Sequence, residues 1–238
     1  MLKDIGIPPM QFREKTCVRG HRSPGKKITE IILPHGVEGG TLHMIRKENL
    51  EATLKAIGYI QSTRTNVFEK KYAQFDCTIE VDFNGNGSIN YPEEKGMKIT
   101  RKTTCNFSQP ENFVVLECIT RLMDKGYRPE HIELEKEWTL GHSDKGGFAD
   151  ILVKDADGKT LFIIECKTSG TEYKKELNNT LNDGGQLFSY WKQEGYCKWL
   201  SLYASDFDGT SVSYTTETID CSDDANILAM GARVVGEG

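Results

Sequence analysis

Apolar and polar positions change period several times along the chain. From Glu111 to Met123 the apolar residues recur at helical spacing, and Gly126 closes the pattern. Pro110 is placed at the start of this predicted helix, with Ser108 near the N-cap. After a bend at Tyr127-Arg128-Pro129-Glu130, Ile132 to Leu140 alternates as a strand does. Phe148 to Val153 forms a second strand pattern, with Asp150 as its one charge. Leu161 to Ile164 is an unbroken apolar run, as expected of a strand buried on both faces. The turn signal Asp155-Ala156-Asp157-Gly158 lies between the last two and predicts a hairpin. Gln186 to Tyr190 has helical spacing, and Lys198 to Ala204 reads as a further strand. From residue 111 the order is therefore helix, three strands, helix, strand. Upstream, Leu42 to Gly58 predicts a helix, and Gln74–Phe83, Ser88–Tyr91 and Met97–Phe107 predict strands. Asn84-Gly85-Asn86-Gly87 is a hairpin turn. The fold class expected is α/β of the α+β kind. An N-terminal α+β extension over 1–110 is followed by a core over 111–238 with a mixed β-sheet flanked by helices.

The charges at the end of the apolar run carry candidate chemistry. Side chains alternate along a strand, so Glu165 and Lys167 share one face and Cys166 takes the other. The hairpin brings Asp150 towards Glu165. Two carboxylates and an amine in that arrangement suit a hard divalent cation beside a phosphodiester. Mg²⁺ takes roughly six oxygen ligands, usually one or two of them carboxylates. Asp150 and Glu165 supply carboxylates, the Cys166 carbonyl a third oxygen, and Lys167 an ammonium that orients water or stabilises developing charge. A solvated ion pair at a strand end would give the same residues, and such pairs contribute only about 0–1 kcal/mol.

Asp150 with Glu165-Cys166-Lys167 resembles the PD-(D/E)XK nuclease superfamily. Ala149 stands where the motif's Pro would be, a variable position. Gln186-Leu187-Phe188-Ser189-Tyr190 is similar to the Q-x-x-x-Y element that follows the Lys in RecB-like nucleases and in the R subunits of type I restriction enzymes. The resemblance spans about 111 to 204 and implies a restriction-endonuclease-like core. It also implies Mg²⁺ as cofactor, with Mn²⁺ as a substitute. Asp150, Glu165 and Lys167 become the catalytic set, with Asp150, Glu165 and the Cys166 carbonyl on the metal. Gln186 and Tyr190 become contacts to DNA. The superfamily often aims a Glu of the first core helix at the metal. Glu117, flanked by apolar residues, is the candidate for that role, and Glu111 reads as a first-turn charge complementing the helix dipole.

Composition changes the picture little. The chain has 238 residues, 37% hydrophobic and 27% charged, with no apolar run near the ~20 residues of a membrane span. It has no signal-peptide pattern, and its seven scattered cysteines suit reduced thiols, so a cytoplasmic protein is expected. The formal charge of −5 does not favour nucleic acid, but residues 1–27 hold seven basic and two acidic side chains. A second basic cluster comprises Lys95, Lys98, Arg101 and Lys102. Such clusters track a phosphate backbone or simply face solvent. Arg22 to Lys27 and Pro34 to Gly40 read as loops. A phosphate-loop sequence and an Asn-Pro-Pro-Tyr methyltransferase signature are both absent. The expected whole is the N-terminal nuclease region of a longer restriction-modification chain. Its partners would be double-stranded DNA, helicase or methyltransferase domains and other subunits, and no membrane. The alternative is a nuclease-like module that binds DNA or a partner without cutting.

Overall fold

A computed structural model describes residues 13–15, 28–30, 43–138, 147–183 and 185–231. The chain opens with β1 (Arg13–Lys15), β2 (Ile28–Glu30), β3 (His43–Met44) and α1 (Lys47–Ala56). A meander follows: β4 (Ile60–Gln61), β5 (Val67–Tyr72), β6 (Cys77–Asp82) and β7 (Ser88–Asn90), then the short β8 (Lys98–Ile99). Next come α2 (Glu111–Asp124), β9 (Ile132–Glu137), β10 (Phe148–Lys154) and β11 (Thr160–Cys166). Two helices, α3 (Thr171–Asp183) and α4 (Gly185–Glu194), lead to β12 (Trp199–Phe207), β13 (Val212–Asp220) and α5 (Asp224–Gly231).

Among the described residues the large sheet runs β1-β2-β13-β12-β11-β10-β9-β8, with β3 pairing the end of β12. It is mixed. β9, β10 and β11 form an antiparallel meander, and β12 lies parallel to β11. A parallel neighbour requires a crossover connection, here α3 and α4. The β10–β11 hairpin closes as its turn chemistry dictates. Asp155 Oδ1 accepts the N–H groups of Asp157 and Lys159 at 2.9 and 2.8 Å, and Gly158 takes a positive φ of 80°. β4-β5-β6-β7 form a second, antiparallel sheet.

The strand alternation sorts the large sheet's two faces. Ile151, Val153, Phe162, Ile164 and Cys166 pack with α2, whereas Leu152, Ile163, Leu200 and Leu202 pack with Leu187, Phe188 and Tyr190 of α4. α2 is apolar nearly all round because it is covered on a second side. The four-stranded sheet and α1 pack into the same cluster as α2 through Phe68, Ile79, Val81, Leu50 and Leu54. The Tyr59 hydroxyl also lies 3.0 Å from that of Thr120. One buried apolar cluster therefore runs from Ile45 to Phe207. Tyr127 N–H to the Leu122 carbonyl and Gly126 N–H to the Met123 carbonyl, at 3.1 and 3.0 Å, end α2 in a Schellman arrangement.

Several element boundaries differ from the sequence expectation. Pro110, not Ser108, occupies the N-cap of α2. Of Met97–Phe107 the structure pairs Lys98–Ile99 and then coils into a 3₁₀ turn at Lys102–Thr104. Residues 73–75 are likewise a 3₁₀ turn, so β6 starts at Cys77. β1, β2, β4, β5, α3, β13 and α5 have no counterpart among the expected elements, so Lys198–Ala204 is not the last strand. The basic segment 1–27 and the loops 22–27 and 34–40 fall outside the described residues except for Arg13–Lys15. Leu140 and residues 232–238 also lie outside them. Among the described residues no helix is long and apolar enough to cross a membrane.

Candidate functional site

The site lies where the β10–β11 hairpin opens. Ile151 faces Ile164 in the register, so the next step sets Asp150 against Glu165. Directly opposed cross-strand side chains have Cβ atoms about 4.5–5.5 Å apart. Both strands put these residues on the α4 side, the side of Leu152 and Ile163. The strand ends are held apart by a side chain: the Cys166 N–H donates to Asp150 Oδ2 at 2.7 Å. The Lys167 N–H donates in turn to the Tyr203 carbonyl at 2.8 Å, fixing the chain beyond β11 against β12. The Lys167 ammonium pairs with Glu165 Oε1 at 2.6 Å and lies 3.6 Å from Glu111 Oε1.

Glu165 is 3% exposed, and its Oε2 is buried without a hydrogen-bond partner. Burial is the main cause that pushes its carboxyl up to about 7, against the pull of Lys167. Asp150 is held well above the usual carboxylate range, first by burial and then by the neighbouring Glu165 charge. Burial also raises Glu111. Burial lowers Lys167, but Glu165, Asp150 and Glu111 more than reverse this, so its amine stays protonated. Three acids crowd around one cation, so ionising all of them would leave an excess of negative charge, and their raised carboxyls reflect this along with burial.

Of these groups Asp150 and Glu111 line a cleft of about 740 Å³, together with Gln186, Tyr190, Arg101 and Glu135, whereas Glu165 and Lys167 lie buried behind it, their side chains 4% and 15% exposed. Glu135 has a φ of +53°, a left-handed conformation within a strand that costs of order 1–3 kcal/mol. The register sets it opposite Asp150. Its carboxylate accepts from Arg101 Nη2 at 2.8 Å.

The sequence expectations fare unevenly here. Asp150, Glu165 and Lys167 come together. Glu117, expected to reach a metal through water, does not join them. It is 2% exposed and pairs with Arg121 one turn along α2, and its Oε2 accepts from the Tyr203 hydroxyl at 2.5 Å. Six residues along a helix rotate a side chain by about 120° from Glu111, so the two glutamates face different surroundings. Glu111, read in sequence as a dipole charge, is the one in the cleft. Tyr190 is 2% exposed, and its hydroxyl donates to the Phe148 carbonyl at 2.6 Å. Its ring stacks on Trp138 at 5.2 Å. Gln186 is exposed, with Nε2 3.4 Å from that hydroxyl. Cys166 points its thiol into the core. Glu135 and Arg101 were missed as site residues. Arg101 had a signal as part of a basic cluster, whereas Glu135 looked like an ordinary strand charge.

The unpartnered Glu165 oxygen beside a second carboxylate fits a hard divalent cation, which would satisfy both. Among the described residues no three His, Cys, Asp or Glu side chains gather as a ready-made metal cluster. The remaining oxygens would therefore come from the backbone, water and substrate, as is usual for Mg²⁺. Comparison with protein-family models and with curated proteins gives no match.

Proposed function

We propose that this chain is a Mg²⁺-dependent DNA endonuclease domain of a restriction-modification system, most similar to the N-terminal region of type I R subunits. The observation that supports this most is the convergence of Asp150, Glu165 and Lys167 at the hairpin's open end, with one buried carboxylate oxygen lacking a donor. In this proposal Asp150, Glu165 and the Cys166 carbonyl hold Mg²⁺, with Mn²⁺ as a substitute. An ion held there would supply a water of lowered pKa and charge neutralisation at the phosphate. Lys167, kept protonated by its acidic neighbours, orients the attacking water and faces the charge that builds on the phosphate in line with it. The Cys166 N–H fixes the Asp150 carboxylate. Gln186 is the residue of α4 that reaches nucleic acid. Tyr190 braces Phe148, and so the start of β10, from behind. Double-stranded DNA is the substrate, and translocation and methylation belong to other domains or subunits of the system, in the cytoplasm.

A non-cutting DNA- or partner-binding module is the second reading, favoured by the lack of a complete metal cluster among the described residues. Calorimetry with Mg²⁺ and Mn²⁺ separates the two. The nuclease predicts a heat of binding that disappears in Asp150→Ala, and no such heat would refute it. Offering duplex DNA, single strands and RNA then identifies the polynucleotide.

A further inference from the structure

Of the four basic residues between 95 and 102, Lys95 is paired with Asp76 and Lys102 with Glu93, at exposed positions. Lys98 is exposed on β8. Arg101 is different, because it lines the cleft. Its guanidinium carbon lies 3.2 Å from the centre of the Phe148 ring, and Nη2 is fixed by Glu135. The side chain is still 43% exposed. A flat guanidinium clamped on one edge and one face presents its remaining donors in a set direction. Phe148 precedes Asp150 by two strand residues on the same face, a span of about 7 Å at 3.3 Å per residue. That is comparable to one nucleotide step. Between Arg101 and Glu111 the chain has no acidic residue, and Thr103, Asn106, Ser108 and Gln109 line the same wall. Asn112 ties that wall to α2 through the Thr103 and Asn106 carbonyls, each at 2.9 Å.

We infer that Arg101 is a phosphate-binding residue that holds the phosphodiester next to the one at Asp150 and Glu165, and so sets the register of the strand in the cleft. The inference rests on the nuclease reading. The Glu135 pair keeps the arginine aimed, and a phosphate meets the donors that Glu135 does not use.

Fluorescence anisotropy of a labelled 20-base-pair duplex tests this, in Ca²⁺ in place of Mg²⁺, over a series of salt concentrations. Parent, Arg101→Ala, Arg101→Gln, Lys98→Ala and Glu135→Gln are compared, with circular dichroism confirming that each is folded. Arg101→Ala and Arg101→Gln should weaken binding about 5- to 30-fold and flatten the slope of log K against log salt by about 0.9, one phosphate contact. Lys98→Ala should leave the slope unchanged, and Glu135→Gln, which loosens the aim of Arg101, should weaken binding less than either Arg101 variant. A parental slope in both Arg101 variants, or an equal loss in Lys98→Ala, overturns the assignment while leaving the nuclease reading intact. Absence of binding by the parent at every salt overturns both.

Discussion

Replacing Glu165 with Gln should stabilise the cation-free protein at pH 8. Burial moves the Glu165 carboxyl from an ordinary 4.5 to about 7, so the folded state binds the proton more tightly than the unfolded chain. Between those values the folded state carries more protons, and stability falls as pH rises. At roughly 1.4 kcal/mol per pH unit the ionised Glu165 costs the fold about 3 kcal/mol by pH 8. Gln keeps the shape without the charge and should recover that amount. For a chain of this size this is roughly 6–12 °C in Tm. Near pH 5 the difference should shrink below about 1 kcal/mol, because Glu165 is then largely protonated in the folded state. Circular-dichroism melts in chelator at pH 5 and pH 8 measure both. Mg²⁺ added at pH 8 should raise the parent's Tm by binding the folded state, and Glu165→Gln should respond far less. Equal melting of parent and variant at pH 8, or a less stable variant there, would refute the electrostatic reasoning.

Three further outcomes follow from the same geometry. Lys167→Ala should lower DNA cleavage about 10²–10⁴-fold while the protein stays folded, read by plasmid nicking and circular dichroism. Glu117→Ala leaves the partly exposed Arg121 guanidinium with the Tyr203 hydroxyl and the Tyr214 ring but no counter-charge, and should cost about 2–3 kcal/mol in urea unfolding, below the cost of breaking a fully buried pair, with cleavage retained at temperatures where the variant is folded. Tyr190→Phe removes the 2.6 Å hydrogen bond to the Phe148 carbonyl and should lower stability by about 1–2 kcal/mol without changing the urea m-value.

The part of the site that was legible in sequence is the part set by local rules. Strand alternation fixes the shared face of Glu165 and Lys167, and the Asp155–Gly158 turn fixes the register that opposes Asp150 to Glu165. Both depend on neighbours within a single hairpin. The two glutamates of α2 depend instead on what packs around the helix. Apolar flanks singled out Glu117 as the residue to aim at a metal, whereas packing buries it and Arg121 and Tyr203 take up its charge. Glu111 sits at the helix start, where a dipole role and a cleft role look alike in sequence. β5 escaped notice because Glu69, Lys70 and Lys71 interrupt its apolar positions, and its pairing with β6 supplies what its own pattern lacks. α3 buries Tyr173, Glu176 and Thr180, so polar residues do the packing that periodicity attributes to apolar ones. Arg101 reaches the cleft only because the chain leaves β8 after two residues, a departure that its strand-like composition does not announce.

Incubating supercoiled plasmid with Mg²⁺ reads phosphodiester hydrolysis at the open end of the β10–β11 hairpin without any partner subunit. The parent should convert the plasmid to nicked and linear forms, chelator should stop it, and Asp150→Ala should leave the plasmid supercoiled. Conversion by Asp150→Ala at the parental rate would contradict hydrolysis at that site.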